Sequence, residues 1–331
     1  YKGRLATVGG GTTEVAVKQL EGYEQGERQF RMEVAIIGST HHMNLVRLCG
    51  FCAEGKHRLI IYEYMKNRSL DRYLFRSSIE PEEEGSVHLD WATRFQILVG
   101  AARGITYLHQ ECRDCIIHCD IKPENILLDE CFTAKVSDFG LAKLLSHQKN
   151  RAAAAGGGGG GVTRIVRGTR GYLAPEWRSN LPITIKSDVF SFGMVVLETI
   201  SGKKGFDPAA TESFTTASSS GRRRASFSEW AYHHYFGSPG VRPPPNPMDG
   251  ILDPRMATKG EAVDPEEFDR AMKVAYWCMQ VQPSTRPSMS RVIQMFEGTL
   301  EPGVPPMPGL LGEPLPSELE AHELRVAFEQ E

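Results

Sequence analysis

Two short segments near the start of the chain, 14–20 and 58–64, are apolar, rich in β-branched side chains and compact enough to be strands. Between them, over 27–38, Phe30, Val34 and Ile37 recur at i, i+4 and i+7, the spacing of one helix face. Residues 1–65 therefore read as a small sheet-rich unit with one helix. From Leu70 to about Leu300 the apolar period becomes helical, with helices expected over 91–109, 186–200, 268–278 and 289–300. This is a second, larger and mainly helical unit, covering 66–300, and the whole is expected to be α+β.

Three stretches interrupt the pattern. Residues 152–161 are four alanines followed by six glycines, 211–226 are rich in Ser and Arg, and 239–247 are rich in Pro. Each reads as a mobile loop, because such compositions bury too little apolar surface to offset the entropy of ordering. The tail, 301–331, is punctuated by proline and then acidic, and Ser317 followed by Glu320 suggests a capped terminal helix.

Composition narrows the possible roles. The 331 residues are 40% hydrophobic, enough for about two packed units at the usual ~150 residues per domain. Lys and Arg number 38 against 41 Asp and Glu, so the net charge of −3 gives no global field toward nucleic acid or an anionic membrane. Seven cysteines in apolar or helical contexts suit a reducing compartment better than a disulfide scaffold. The apolar run over 189–200 is broken by Ser191, Gly193 and Glu198, well short of the ~18 residues of a membrane span. Tyr1 to Leu5 reads as the middle of a strand rather than a leader, so the chain is expected to be a fragment.

Candidate chemistry begins with Lys18 in Val15-Ala16-Val17-Lys18, where strand alternation points Ala16 and Lys18 to one face. Glu33 borders the apolar stripe of the 27–38 helix, and a charge there calls for a partner. Lys18 is the obvious one, and a lysine so held can present its ammonium to two phosphates of a nucleotide. The decisive segment is His118-Cys119-Asp120-Ile121-Lys122-Pro123-Glu124-Asn125, followed by Asp138-Phe139-Gly140. Asp120 and Asn125 have the spacing of a kinase catalytic loop, with Asp120 to accept a substrate hydroxyl proton and Asn125 and Asp138 to supply oxygens to magnesium.

In these motifs the chain resembles the protein kinase superfamily over nearly its whole length, and Ala174-Pro175-Glu176 is similar to that family's closing motif of the activation segment. The resemblance implies a two-lobed fold, with a small antiparallel-sheet lobe and a large helical lobe. It implies ATP and Mg2+ as cofactors, a salt bridge from Glu176 to Arg286, and Asp188 bracing the catalytic loop. The segments Leu59-Ile60-Ile61-Tyr62-Glu63-Tyr64-Met65 and Gly168-Thr169-Arg170-Gly171-Tyr172 look like those of plant receptor-like kinases, with S-domain lectin-type branches nearest. By that resemblance Tyr62 is the gatekeeper, the backbones of Glu63 and Met65 hold the adenine edge, and Ala16 and Leu127 sandwich the ring. Lys122 and Thr169 resemble the form that modifies serine or threonine of protein substrates. An ectodomain and membrane span upstream, with this part on the cytoplasmic side of the plasma membrane, are implied in the same way.

The chain departs from the family in three places. The strand with the Gly-rich loop that covers the phosphates does not precede Lys18, and Gly9-Gly10-Gly11 belongs to the turn feeding the lysine strand. Cys119 replaces the arginine that pairs with an activation-segment phosphate, so activity is expected to depend little on phosphorylation of Thr163 or Thr169. The Ala/Gly tract enlarges the activation segment, which is expected to be disordered without substrate. Two functions stay open: an active Ser/Thr kinase, or a weak or inactive kinase-fold scaffold. Arg222-Arg223-Arg224-Ala225-Ser226 is either a basophilic phosphorylation site or a solvated basic loop. Cys49/Cys52 and Cys112/Cys115 mimic zinc-ligand spacing, but fall in an apolar strand and ahead of the catalytic loop, in separate lobes, so zinc is not expected.

Overall fold

The computed structural model describes residues 1–6, 10–21, 25–75, 88–145, 167–179, 181–205, 215–218, 221–224, 226–237, 244–258, 260 and 262–309. The poly-Ala/Gly tract, Thr163 and the expected helix at Ser317 lie outside them. The first lobe is a four-stranded antiparallel sheet of β1 (Lys2–Ala6), β2 (Thr12–Gln19), β3 (Leu48–Glu54) and β4 (His57–Glu63), in the order β1-β2-β4-β3. Alternation along β2 buries Val15 and leaves Ala16 and Lys18 on the opposite face. Helix α1 (Gln25–Ile37) lies against β4 and β3, and Phe30, Ile36 and Ile37 enter the core. Glu33 is fully buried within that face, deeper than the border position its helical spacing suggested.

The second lobe is built on α4 (Lys186–Ser201), whose residues are buried from Ser187 to its end. A helix apolar on all sides is an interior one. It packs between α3 (Trp91–Thr106) and α7 (Pro265–Cys278). Contact with α7 is close at Gly193, where a Cβ would stand 2.8 Å from both the Ala275 carbonyl oxygen and the Cys278 Cβ. Helix α3 starts on Asp90, whose side chain accepts from the Thr93 N–H at 2.8 Å, and runs into a wider turn at Tyr107–Glu111. Helix α8 (Met289–Phe296) ends before the expected 300, because Gly298 takes φ +72° and turns the chain out of the helix.

Four short strands, β5 (Cys115–Ile117), β6 (Ile126–Leu128), β7 (Ala134–Val136) and β8 (Lys143–Leu145), pair as β5 with β8 and β6 with β7 beneath the sheet lobe. Backbone hydrogen bonds fasten the sheet lobe, and the segment leading out of it, onto the short strands beneath. Leu70 N–H donates to Ile126 O at 2.9 Å, and Leu128 N–H to Arg68 O at 2.7 Å, tying the connecting strand end to β6. Val136 N–H donates to Asn44 O at 2.8 Å, tying β7 to the loop before β3.

The stretch 211–226, expected to be a loop, holds a hairpin of β9 (Thr215–Ser218) and β10 (Gly221–Arg224). Backbone pairing gives it order that its polar composition does not advertise. Ser226 then caps α5 (Phe227–Phe236), accepting from the Glu229 N–H at 3.2 Å. This helix escaped the periodic reading, since Trp230, Tyr232, Tyr235 and Phe236 spread aromatic surface around much of it. Cys49 and Cys52 lie on β3, while Cys112 and Cys115 flank the approach to β5. No helix among the described residues is long and apolar enough to cross a membrane.

Tyr172 links the segment 167–179 to α4, donating its phenol to Glu198 at 2.8 Å, and Glu198 also accepts from Gly205 N–H at 2.8 Å. Burial pushes the Glu198 carboxyl up to about 7, from an ordinary 4.5. The folded chain thus holds a proton between those values that the unfolded chain releases, and stability falls as pH rises through that window. Gln in place of Glu198 can still accept from Gly205 N–H and, through its amide N–H, donate to the Tyr172 oxygen, as the protonated carboxyl would, and it removes the titration. Urea unfolding at pH 4.5 and pH 8 should show the wild type losing up to about 3 kcal/mol relative to Glu198→Gln. Parallel pH curves for the two proteins would contradict this.

Candidate active site

Between the lobes lies a cavity of about 490 Å³, lined by Ala16 and Lys18 from β2, Met65 from the inter-lobe connection, and Asn125, Leu127 and Asp138 from below. Its size is within the usual ~300–1,000 Å³ of a small-ligand site. Pairing of β2 with β4 sets Lys18 opposite Ile60 and Ala16 opposite Tyr62, so lysine and connection face the same opening.

Lys18 Nζ lies 3.0 Å from a Glu33 carboxylate oxygen and 2.7 Å from Asp138 Oδ1. Burial opposes the charge on Lys18, but Glu33 and Asp138 outweigh it and raise the lysine pKa above its ordinary value. Asp138 is affected in the opposite sense: burial disfavours its charge, and Lys18 overcomes this to lower its pKa. Glu33 is raised, mainly by burial. Lys18 is therefore held between two carboxylates, Glu33 and Asp138. The Tyr62 phenol donates to Glu33, so this side chain braces the glutamate as well as lining the cavity. Sequence reading gave Tyr62 a place at the cavity but missed this bond, which only the crossing of α1 over β4 creates.

The loop from His118 to Asn125 is organised around Asp120. Asn125 Nδ2 donates to Asp120 O at 2.8 Å and Oδ2 at 3.0 Å, leaving its amide oxygen for another partner. Lys122 Nζ stands 2.7 Å from Asp120 Oδ2 and donates to Thr169 Oγ1 at 2.7 Å, and that hydroxyl donates to Asp120 Oδ1 at 2.7 Å. Asp120 is thus aimed by three neighbours. Asn125 O accepts from Ser137 N–H at 2.9 Å, which sets Asn125 beside the residue that precedes Asp138.

Cys119 takes φ +66° and Asp138 φ +64°, left-handed conformations that a β-carbon disfavours. At Cys119 the surroundings hold it: Asp188 of α4 accepts from the His118 and Cys119 N–H groups, each at 2.8 Å. His109 adds a 2.8 Å contact to the same carboxylate. Phe139 is fully buried with its ring centroid 5.1 Å from that of His118. These two histidine contacts were not anticipated from sequence, because His109 lies in the wider turn that follows α3 and the pairing needs the tertiary fold. Cys119 is a buried thiol whose pKa burial raises, so no cation stands where the family's arginine would. Farther out, Glu176 and Arg286 are both buried and form a two-pronged pair at 2.7 and 2.8 Å.

A cation would find one carboxylate, Asp138, and one amide, Asn125, at the cavity floor. Among the described residues no three His, Cys, Asp or Glu side chains are grouped to hold a metal by themselves. That donor set suits magnesium, which takes one or two protein oxygens and completes its shell with phosphates and water. The apolar walls given by Ala16 and Leu127 suit a flat ring above those phosphates.

A cleft of this kind, between a sheet lobe with a braced lysine and a helical lobe with the loop acid, is the arrangement of protein kinases. The model of the protein kinase domain matches residues 4–296, and the chain belongs to that family. Among curated relatives, one G-type lectin S-receptor-like serine/threonine-protein kinase of Arabidopsis thaliana is 50% identical over 322 residues, 95% of this chain and 35% of the relative. A second from the same plant is 48% identical over 93% of this chain and 33% of its own length. One from Oryza sativa subsp. japonica is 40% identical, again over 93% and 33%. The chain spans about a third of the length of these relatives.

Proposed function

We propose that the chain transfers the γ-phosphate of magnesium-ATP to serine or threonine hydroxyls of proteins, as the catalytic portion of a longer receptor-like kinase. The observation that carries this reading is the meeting of Lys18, Asn125 and Asp138 at one cavity, with Asp120 hydrogen-bonded to Asn125. In this reading Ala16 and Leu127 clasp the adenine, the backbones of Glu63 and Met65 hold its edge, and Lys18, set by Glu33, holds phosphate oxygens. Asn125 and Asp138 would hold magnesium, which when bound neutralises charge on the β- and γ-phosphate oxygens. Asp120 orients the incoming hydroxyl and takes its proton, while the Lys122 ammonium offsets charge beside it. Glu176, Arg286 and Asp188 support the site without touching substrate.

Thr169, bonded to both Asp120 and Lys122, narrows the space beside the acid and favours the short Ser or Thr side chain over tyrosine. The uninterrupted contacts from Lys18 to Thr169 favour catalysis over a scaffold role. By kinship with receptor-like kinases, an ectodomain and membrane span would belong to the full-length protein, with this part facing the cytoplasm. Incubation with γ-labelled ATP, magnesium and a generic protein substrate, followed by acid hydrolysis, should yield labelled phosphoserine and phosphothreonine. Label found solely in phosphotyrosine would overturn the assignment.

A further inference from the structure

We infer that α5 and α7 form a recognition groove for a P-x-x-P segment in the polyproline II conformation, and that the chain's own residues 301–309 occupy it. This does not rest on the phosphate-transfer reading. The segment reads Glu301-Pro302-Gly303-Val304-Pro305-Pro306-Met307-Pro308-Gly309. Proline fixes φ near −65° and pushes the residue before it into extended backbone, so this composition selects polyproline II, with three residues per turn. Burial follows that period through Pro305: Pro302 and Pro305 are buried, whereas Glu301 and Val304, one step out of phase, are exposed, Val304 at 66%, and beyond them Met307 and Pro308 are both half-buried.

Such a helix makes no internal hydrogen bonds, so its carbonyls need donors from elsewhere. The groove supplies them in order. The Trp277 indole N–H donates to Gly303 O at 2.9 Å, the Tyr232 phenol to Pro305 O at 2.9 Å, and Gln280 Nε2 to Pro306 O at 2.8 Å. Lys273 meets Glu301 at 3.1 Å at the entrance. Tyr232 stands edge-on to Tyr276 with centroids 5.2 Å apart, so the phenol that holds the Pro305 carbonyl belongs to an aromatic pair. Aromatic walls with an indole and a phenol donating to ligand carbonyls are how proline-rich ligands are bound by dedicated modules. Here the ligand is tethered, and a short tether gives it an effective concentration of about millimolar.

The test uses the full chain and a fluorescent peptide of residues 301–309. The unaltered protein, its groove filled from within, should bind the peptide at least about tenfold more weakly than Pro302→Ala/Pro305→Ala, whose own tail no longer fits. Val304→Ala, altered at an outward position, should behave as the wild type. A peptide carrying alanine at both proline positions should not bind the vacated groove. Equal binding to wild type and double variant, or equal binding of the two peptides, would overturn the proposal. Tyr232→Phe gives a second reading that needs no vacated groove. Losing one hydrogen bond should speed proteolytic release of the tail by roughly fivefold, and an unchanged rate would count against it.

Discussion

Asparagine in place of Asp120 is expected to lower phosphate transfer to protein hydroxyls by about 10²- to 10⁴-fold, the usual contribution of a positioned proton acceptor. The substitution is nearly isosteric, and the Asn125 amide can still donate to the residue 120 carbonyl, as it does at 2.8 Å. Fold and nucleotide binding should therefore survive. What is lost is the carboxylate that Thr169 and Lys122 aim. Initial rates of labelled phosphate incorporation, with a melting curve as control, check both halves. A rate drop of less than tenfold with an intact fold would remove Asp120 from the role of proton acceptor.

The second large effect concerns stability. Arg286 and Glu176 are buried, and the guanidinium also donates to the carbonyls of Gln280 at 2.6 Å, Val281 at 3.0 Å and Lys186 at 2.8 Å. Alanine at 286 would strand a buried carboxylate together with those acceptors. Removing one partner of a buried pair typically costs about 3–5 kcal/mol, far more than the pair adds relative to apolar residues, because the remaining charge has lost its compensation. Urea denaturation of Arg286→Ala should show a loss of that size. Arg286→Lys, which keeps the charge but not the planar fork, should fall between. A loss below about 1 kcal/mol would show that water reaches Glu176 in the folded chain.

The candidate site was legible in the sequence where it is carried by near neighbours. Asp120, Lys122 and Asn125 lie within one loop, Asp138 within one tripeptide, and Lys18 on a strand whose alternation can be read directly. Glu33 was half legible. Helical spacing put it at the edge of the apolar stripe, but its complete burial depends on Lys18 and Tyr62 arriving from other strands to satisfy it. The His109 contact with Asp188 joins the turn after α3 to α4, and nothing local in either segment announces it. The hairpin at Thr215–Arg224 and the helix Phe227–Phe236 were missed for different reasons. In the hairpin, backbone pairing decides and side-chain polarity misleads. In the helix, aromatic residues on several faces erase the contrast on which periodicity depends.

The tail shows the same limit from another side. From sequence it read only as punctuated by proline, and its seat on Trp277, Tyr232 and Gln280 is a tertiary fact. Period-three burial became visible only once the helical lobe stood beside it.

The central claim is that one inter-lobe cavity receives a nucleoside triphosphate whose phosphates meet Lys18 and, through a divalent cation, Asp138 and Asn125. Calorimetric titration of ATP into the chain with magnesium and with a chelator, repeated on Asp138→Asn, tests it most directly. Wild type should bind at least about tenfold more tightly when magnesium is present, a difference of ~1.4 kcal/mol, and Asp138→Asn should lose that dependence. Identical affinities in all four titrations, or no ATP binding to the wild type, would contradict the account.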